Sequence, residues 1–279
     1  MLPAQTSIGS ITLTVKDLGR VLDFYEGSLG LIKQKQEGSK ITLGASNNGP
    51  ALVVLEEHTD AQKRPLRAPG LFHTAFLFPN RKELARILQR LVQGGVTFQG
   101  FADHLVSEAL YLADPEGNGV ELYADRAREL WKWAGSSVEM ATNALDLEHL
   151  MAELNGEESI WTGTPPDLRI GHIHLQVSGL QQAEDFWARR VGFDVVQREY
   201  PGALFVSAGG YHHHLGLNIW NSSRMSLPEG VMTGLQSLKI RLPDAGSLAE
   251  LGIQLQAPVV EDAMTVKDQD GITVEFEAT

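Results

Sequence analysis

The chain repeats itself, and the repeat unit limits what it can fold into. Ile11-Thr12-Leu13-Thr14-Val15 returns 162 residues later as Ile173-His174-Leu175-Gln176-Val177. Both alternate apolar and polar residues as a half-buried strand does. A helical pattern follows each, with Leu18, Val21, Leu22, Phe24, Tyr25 and Leu29 in the first copy and Leu180, Ala183, Phe186, Trp187 and Val191 in the second. Gly30 and Gly192 stand where a helix C-cap is expected. A second pair of segments matches in the same way, Phe72 to Pro79 against Gln236 to Pro243, each leading into a helix at about Lys82–Gln93 and Ala245–Leu251. Each unit therefore reads strand, helix, then about three strands, and four such units occupy about 7–60, 70–125, 168–222 and 230–279.

The expected architecture is an α+β fold of four βαβββ units in two domains. Residues 1–125 form the N-terminal pair, 168–279 the C-terminal pair, and 126–167 a connector. The connector carries Trp131 and Trp133, a short amphipathic stretch (Leu147, Leu150, Met151, Leu154) and Pro165-Pro166. Flexible linkers rarely contain tryptophan, so the connector is expected to pack on the domains.

Composition removes several classes of function. The formal net charge is −12, with no run of Lys or Arg, which argues against nucleic acid as a partner. With no cysteine, disulfides, thiolate nucleophiles and zinc–thiolate sites are excluded. No apolar run is long enough to span a membrane, and Met1 to Ser7 lacks a signal pattern, so a soluble cytoplasmic protein is expected. Oligomeric state stays open, because a duplicated fold satisfies internally the pairing that single units satisfy by dimerising, and a monomer is one solution.

The units end in a recurring turn and strand. Asp114-Pro115-Glu116-Gly117-Asn118-Gly119-Val120-Glu121 has a counterpart running from Asp268 through Gly271 to Glu275. Each places one carboxylate in an otherwise apolar strand, which is costly unless something pairs with it. Only the first copy has His73, His104 and Tyr111 ahead of it to help. His73 and His172 occupy one register position in units two and three, where units one and four carry Ser10 and Ser237. His58, beside Glu56 and Glu57, reads instead as a solvated loop residue, and His149 as a surface residue of the connector helix. His73, His172 and Glu121 together supply two imidazoles and a carboxylate, the set that suits Fe(II) or Mn(II) without thiolates. Read singly, each is as well explained as a satisfied core histidine or a rim carboxylate. Only units two and three hold all three, so these two units are expected to share the working cavity. Units one and four would then pair into a metal-free counterpart containing Ser10, Ser237 and Glu275.

Four such units with these ligand positions resemble the vicinal oxygen chelate superfamily, which includes glyoxalase I and the extradiol ring-cleaving dioxygenases. The stretch His104 to Glu121 resembles the extradiol signature of His, an apolar residue and Tyr, Asp-Pro-x-Gly and a ligand Glu, with Ala102 as a departure. More narrowly, Gly171-His172-Ile173-His174-Leu175 with Gly209-Gly210-Tyr211-His212-His213-His214-Leu215-Gly216-Leu217-Asn218-Ile219-Trp220 resembles the CatE-type catechol-2,3-dioxygenases of bacilli. The resemblance implies Fe(II) on His73, His172 and Glu121, with O2 as co-substrate. Tyr111 would hydrogen-bond the substrate oxygen at the metal, and His104 would hold or polarise the substrate nearby. His213 would be the acid/base beside dioxygen, with His214 the alternative if the register slips by one residue. Strand alternation would turn His212 and His214 away from His213.

The implied reaction is opening of catechol or a related aromatic diol beside its two hydroxyls. Two alternatives remain: a metal-dependent isomerase or thiol transferase of the same fold, for which His213 and His104 would be dispensable, and a non-catalytic binder of aromatic or drug-like ligands, which would need no metal.

Overall fold

The structure, a computed structural model, describes residues 1–155, 161 and 163–279; the connector residues 156–160 and 162 lie outside the described residues. Unit one contributes β1 (Ser7–Val15), α1 (Leu18–Leu22), β2 (Ile32–Glu37), β3 (Lys40–Gly44) and β4 (Ala51–Glu57). Unit two follows with β5 (Gly70–Phe78), α2 (Arg81–Gln93), β6 (Gly100–Asp103), β7 (Ser107–Ala113) and β8 (Gly119–Asp125). The connector adds the short strands β9 (Trp133–Ala134) and β10 (Ser137–Val138) and helix α3 (Leu147–Met151). Unit three comprises β11 (Arg169–Gln176), α4 (Leu180–Glu184), β12 (Asp194–Gln197), β13 (Ala203–Ser207) and β14 (Leu215–Asn218). Unit four has β15 (Gly234–Leu242), α5 (Ala245–Leu255), β16 (Ala263–Lys267) and β17 (Thr273–Ala278). It has one strand fewer than expected: Val260 makes only an isolated bridge to Ala263, because Glu261 and Asp262 both adopt left-handed φ and turn the chain at once.

The units join crosswise. An eight-stranded sheet runs β12-β13-β14-β11-β5-β8-β7-β6, so units two and three meet through antiparallel β5 and β11. A seven-stranded sheet runs β16-β17-β15-β1-β4-β3-β2, so units four and one meet through β15 and β1. Each sheet thus takes one unit from each half of the chain. Among the described residues, no helix is long and apolar enough to cross a membrane.

Local sequence explains the shared details. Helices α2 and α5 open on Asn80 and Asp244, whose side chains accept from the backbone N–H groups of Glu83 at 3.0 Å and Ser247 at 2.7 Å. Helices α1 and α4 do not simply end; each continues as a π-helix, over Asp23–Ser28 and Asp185–Val191. The wider turn lets consecutive aromatics enter the core side by side, Phe24 with Tyr25 and Phe186 with Trp187, each pair packed edge to face.

The two carboxylate turns latch unit to unit. Asp114 accepts from the backbone of Glu116 and Asn118, both at 2.9 Å, while Glu116 Oε1 accepts from the backbone of Lys16 at 2.7 Å and Asp17 at 2.9 Å. In the other copy Asp268 holds Asp270 and Ile272, both at 2.9 Å, and Asp270 accepts from Ser178 at 3.2 Å. These turns set the start of β8 and β17 and therefore the positions of Glu121 and Glu275.

Gly119, at the start of β8, is the register partner of His73. A Cβ there would stand 2.1 Å from the Phe72 carbonyl oxygen and 3.0 Å from His73 Cβ. Overpacking against backbone costs about 1–3 kcal/mol, so Gly119→Ala is expected to lower the denaturant midpoint clearly. Gly100→Ala, where nothing lies within 4 Å, is the control and is expected to leave it in place. Equal stability of the two variants would contradict this account of the β5–β8 contact.

Candidate metal centre and cavity

One row of side chains crosses four strands of the eight-stranded sheet. The register partners are Tyr111 on β7, Glu121 on β8, Ala75 on β5 and His172 on β11. His73 and His174, also register partners, form the next row, since residues two apart share a face. Ala75 leaves open the space between His172 and Glu121 that a larger side chain would fill.

His73 Nε2 lies 2.9 Å and His172 Nε2 3.2 Å from the same atom, Glu121 Oε2. All three residues are buried, and their candidate ligand atoms lie within 4.8 Å of one another. The His73 contact lacks hydrogen-bond geometry, so a buried nitrogen is orphaned next to a carboxylate. An orphan of this kind costs about 1–3 kcal/mol. Ligands about 2.0–2.2 Å from one ion and cis to each other stand about 3 Å apart, so the spacing fits a shared divalent cation. The donor set fits too, being two imidazoles and a carboxylate.

Electrostatics prepare these groups for binding. Burial pulls the His172 imidazole down to about 4, against the opposing pull of Glu121, so the ring is uncharged at neutral pH. Burial alone would raise the Glu121 carboxyl, but His172 and then His73 outweigh it and hold it well below the usual range. Burial, with Glu121 nearby, pushes the Tyr111 phenol well above its ordinary value, so Tyr111 stays protonated.

Around the triad is a cavity of about 680 Å³ lined by His73, His104, Tyr111, Glu121, His172 and His213. Such a volume is ample for an aromatic ring with substituents. Its apolar walls include Phe72, Val106, Met140, Phe205 and Trp220. His104 is aimed by Leu105, whose left-handed φ of 69° turns the chain sharply. His104 Nδ1 donates to the Ala141 carbonyl at 2.6 Å, so Nε2, 2.6 Å from the Tyr111 hydroxyl, accepts from it.

His213 also faces the cavity, its ring centroid 4.1 Å from that of His172 and 5.0 Å from Phe205. Burial holds its imidazole well below the ordinary value, so it is neutral. His214 is placed elsewhere. Its Nδ1 accepts from the Ala208 N–H at 3.2 Å and lies 3.1 Å from the Ser207 hydroxyl, and its ring packs on Phe193 and Tyr211. Strand alternation does not govern this stretch, because β14 begins only at Leu215 and left-handed Gly209 and Gly210 turn the chain before it. His212 consequently does not turn outward but is fully buried against His213.

Three contributors escape the sequence reading. His174 lines the cavity with its Nε2 unpartnered, and its ring lies where a side chain on Gly216, its register partner, would stand. Its position two residues after His172 was the available signal. The connector supplies Met140, Ala141 and Thr142 to the wall, with Asn143 pairing to Asp103 and Thr142 Oγ1 2.9 Å from the Tyr200 hydroxyl. Asp125 lies behind His212. The connector packs as expected through Trp131, which is buried, whereas Trp133 is exposed. His58 and His149 lie outside the cavity, paired with Glu56 and Arg81.

The seven-stranded sheet repeats the row without its chemistry. Ser10 and Ser237 replace the imidazoles, and Lys239 stands opposite Glu275 where Ala75 stands opposite Glu121. Its ammonium is 3.9 Å from the Glu275 carboxylate.

The fold matches a known class. The chain belongs to the Glyoxalase/Bleomycin resistance protein/Dioxygenase superfamily, which matches residues 7–122 and 169–276. Within it the chain is a dioxygenase-like enzyme: a catechol-2,3-dioxygenase of Bacillus subtilis (strain 168) is 44% identical over 243 residues, covering 85% of this chain and 83% of that relative. The crystal structure of a putative dioxygenase from Bacillus subtilis aligns with a TM-score of 0.68 at 17% identity, over 98% of this chain and 84% of that one. Glyoxalase I from Zea mays aligns at 0.59 and 14%, over 98% and 92% respectively. These two share the fold.

The neutral buried histidines give a prediction with a definite sign. The unfolded chain protonates histidine near pH 6.5, whereas folding lowers His172 to about 4 and His214 to about 3. Below about 6.5 the unfolded state binds more protons, so this stability is whole above that pH and is lost as pH falls through about 4 and then 3. Denaturant unfolding of the metal-free protein from pH 7.5 to 4 is expected to show the loss, and His172→Gln to reduce its slope. Parallel profiles for the two proteins would rule out this source.

Proposed function

We propose that the chain is an extradiol ring-cleaving dioxygenase that opens catechol or a related aromatic diol with O2 at an Fe(II) site on His73, His172 and Glu121, with Mn(II) compatible with the same donors. The observation that carries the reading is the convergence of two imidazole nitrogens on one buried carboxylate oxygen, in the same row as Tyr111. The likeness to a catechol-2,3-dioxygenase supports it. The reaction needs proton acceptors beside the ion, and Tyr111, His104 and His213 line the same cavity.

The protein's part is binding and proton handling. The apolar walls hold the ring and exclude water, and neighbours held in one cavity replace a multi-body encounter by a local step. When bound, the ion would supply Lewis acidity that makes a coordinated hydroxyl easier to ionise and, as Fe(II), the redox capacity to use O2. Tyr111 donates its own proton to His104, so its oxygen is free to accept from a diol hydroxyl. A proton leaving the diol there passes to Tyr111 as Tyr111 passes its own to His104. His213, neutral at the cavity wall, takes the other proton and returns it when the ring opens. Both atoms of O2 enter the product, a hydroxymuconic semialdehyde.

Anaerobic loading with Fe(II), followed by air and catechol, is expected to give the yellow ring-opened product. His73→Ala and His172→Ala should lower turnover by roughly a hundredfold or more, together with iron content, as the loss of a metal ligand does. Ser237→Ala, in the seven-stranded sheet, should turn over normally. Iron binding without product from any of several diols would overturn the dioxygenase reading in favour of a metal-dependent isomerase or transferase. Failure to bind iron or manganese would leave a non-catalytic binder of aromatic ligands.

A further inference from the structure

Behind His213 is a pair of residues that no step above uses. His212 is completely buried, and its Nε2 is 2.9 Å from Asp125 Oδ1. The same oxygen accepts from the Tyr211 hydroxyl at 3.2 Å, and Tyr211 in turn lies 2.7 Å from the Tyr123 hydroxyl. Asp125 at the end of β8 is thus tied to the loop before β14. On its other side, His212 Nδ1 lies 2.8 Å from His213 Nδ1.

The proton positions follow from what each atom can do. A carboxylate only accepts, so His212 Nε2 carries a hydrogen. A neutral His212 then has a bare Nδ1. Two ring nitrogens 2.8 Å apart need one hydrogen between them, and it must belong to His213. A neutral His213 protonated on Nδ1 has its lone pair on Nε2, and among the described residues Nε2 has no hydrogen-bond partner. The alternative, a doubly protonated His212 paired with the Asp125 carboxylate, would donate to His213 Nδ1 and leave His213 with an Nε2–H facing the cavity, a tautomer that is directly distinguishable from the first.

We propose that Asp125 and His212 are positioning residues that fix the tautomer and orientation of His213, so that its bare Nε2 faces the cavity and accepts the proton of a bound diol. The role in turnover rests on the dioxygenase reading; the tautomer does not. In the proton step, the diol O–H bond breaks, an N–H bond forms at His213 Nε2, and the charge is left on the diol oxygen. The positive charge gained by His213 is met through its Nδ1–H by His212 and, through His212, by the Asp125 carboxylate. Rings on three sides fix the His212 plane: Trp131 at 5.1 Å, Tyr211 at 4.1 Å and His213 at 4.7 Å between centroids.

Two measurements test this. Nitrogen-15 NMR of the metal-free protein is expected to show His213 protonated on Nδ1 and bare on Nε2, and His212→Phe, which keeps an aromatic ring, to remove that bias. With Fe(II) loaded, His212→Phe and Asp125→Asn are expected to lower kcat by roughly tenfold to a hundredfold, with iron content unchanged and KM within about a factor of three. A His213 protonated on Nε2 in the wild type would overturn the proposal. So would wild-type kcat in both variants. A wild type that cleaves no diol would instead remove the dioxygenase reading, and the NMR result would still decide the tautomer.

Discussion

A buried carboxylate oxygen approached by two imidazole nitrogens is the constraint around which the eight-stranded sheet is arranged. The contact brings three polar groups out of water, and one nitrogen lacks hydrogen-bond geometry, so protein alone does not balance it. The surroundings hold the arrangement nonetheless. Ala75 leaves the row open between His172 and Glu121, Gly119 lets β8 approach β5 closely beside His73, and the Asp114 turn sets where β8 begins. Each of these features gives up side-chain packing to keep three candidate ligand atoms within a small volume.

The seven-stranded sheet shows what happens when that constraint is absent. It has the same pairing of strands from two units and the same turn before its carboxylate, held by Asp268. Yet Glu275 is only half-buried and faces an ammonium from its own sheet, with Arg241 and Lys239 holding Glu277 similarly. An internal ion pair does there what an external cation would do at Glu121. Duplication thus leaves one sheet to the site and the other to a self-contained face, with both sharing one hydrophobic core.

This division was largely legible in the chain, because duplication preserves strand register. His73, His172, Ser10 and Ser237 fall at one repeated position, and only the pairing of units two and three puts both histidines beside Glu121. What stayed hidden depends on backbone conformation rather than pattern. The Ala141 carbonyl that orients His104 has no side-chain signature, and the connector around it has no periodicity. The loop from Gly209 to His214 breaks the alternation assumed for a strand, which is why His212 turns inward against His213, while His214 leaves the cavity side as alternation would also have it. Asp125 lies at a strand end among residues that give no sign of a distant histidine partner.

Hydrogen-bond direction adds a last constraint on what the cavity can hold. On one side, the Ala141 carbonyl takes the His104 Nδ1–H, His104 takes the Tyr111 proton, and the Tyr111 oxygen is left with a lone pair. On the other, Asp125 takes the His212 proton, His212 takes that of His213, and His213 Nε2 is left bare. Both chains run outward from the triad, so both present acceptors inward, and Glu121 is an acceptor as well. The cavity wall also carries donors, Arg64 and Arg67 among them, so the acceptors mark the neighbourhood of the triad rather than the whole wall. That neighbourhood suits a cation together with a ligand that brings its own hydroxyl protons, as the proposed diol would.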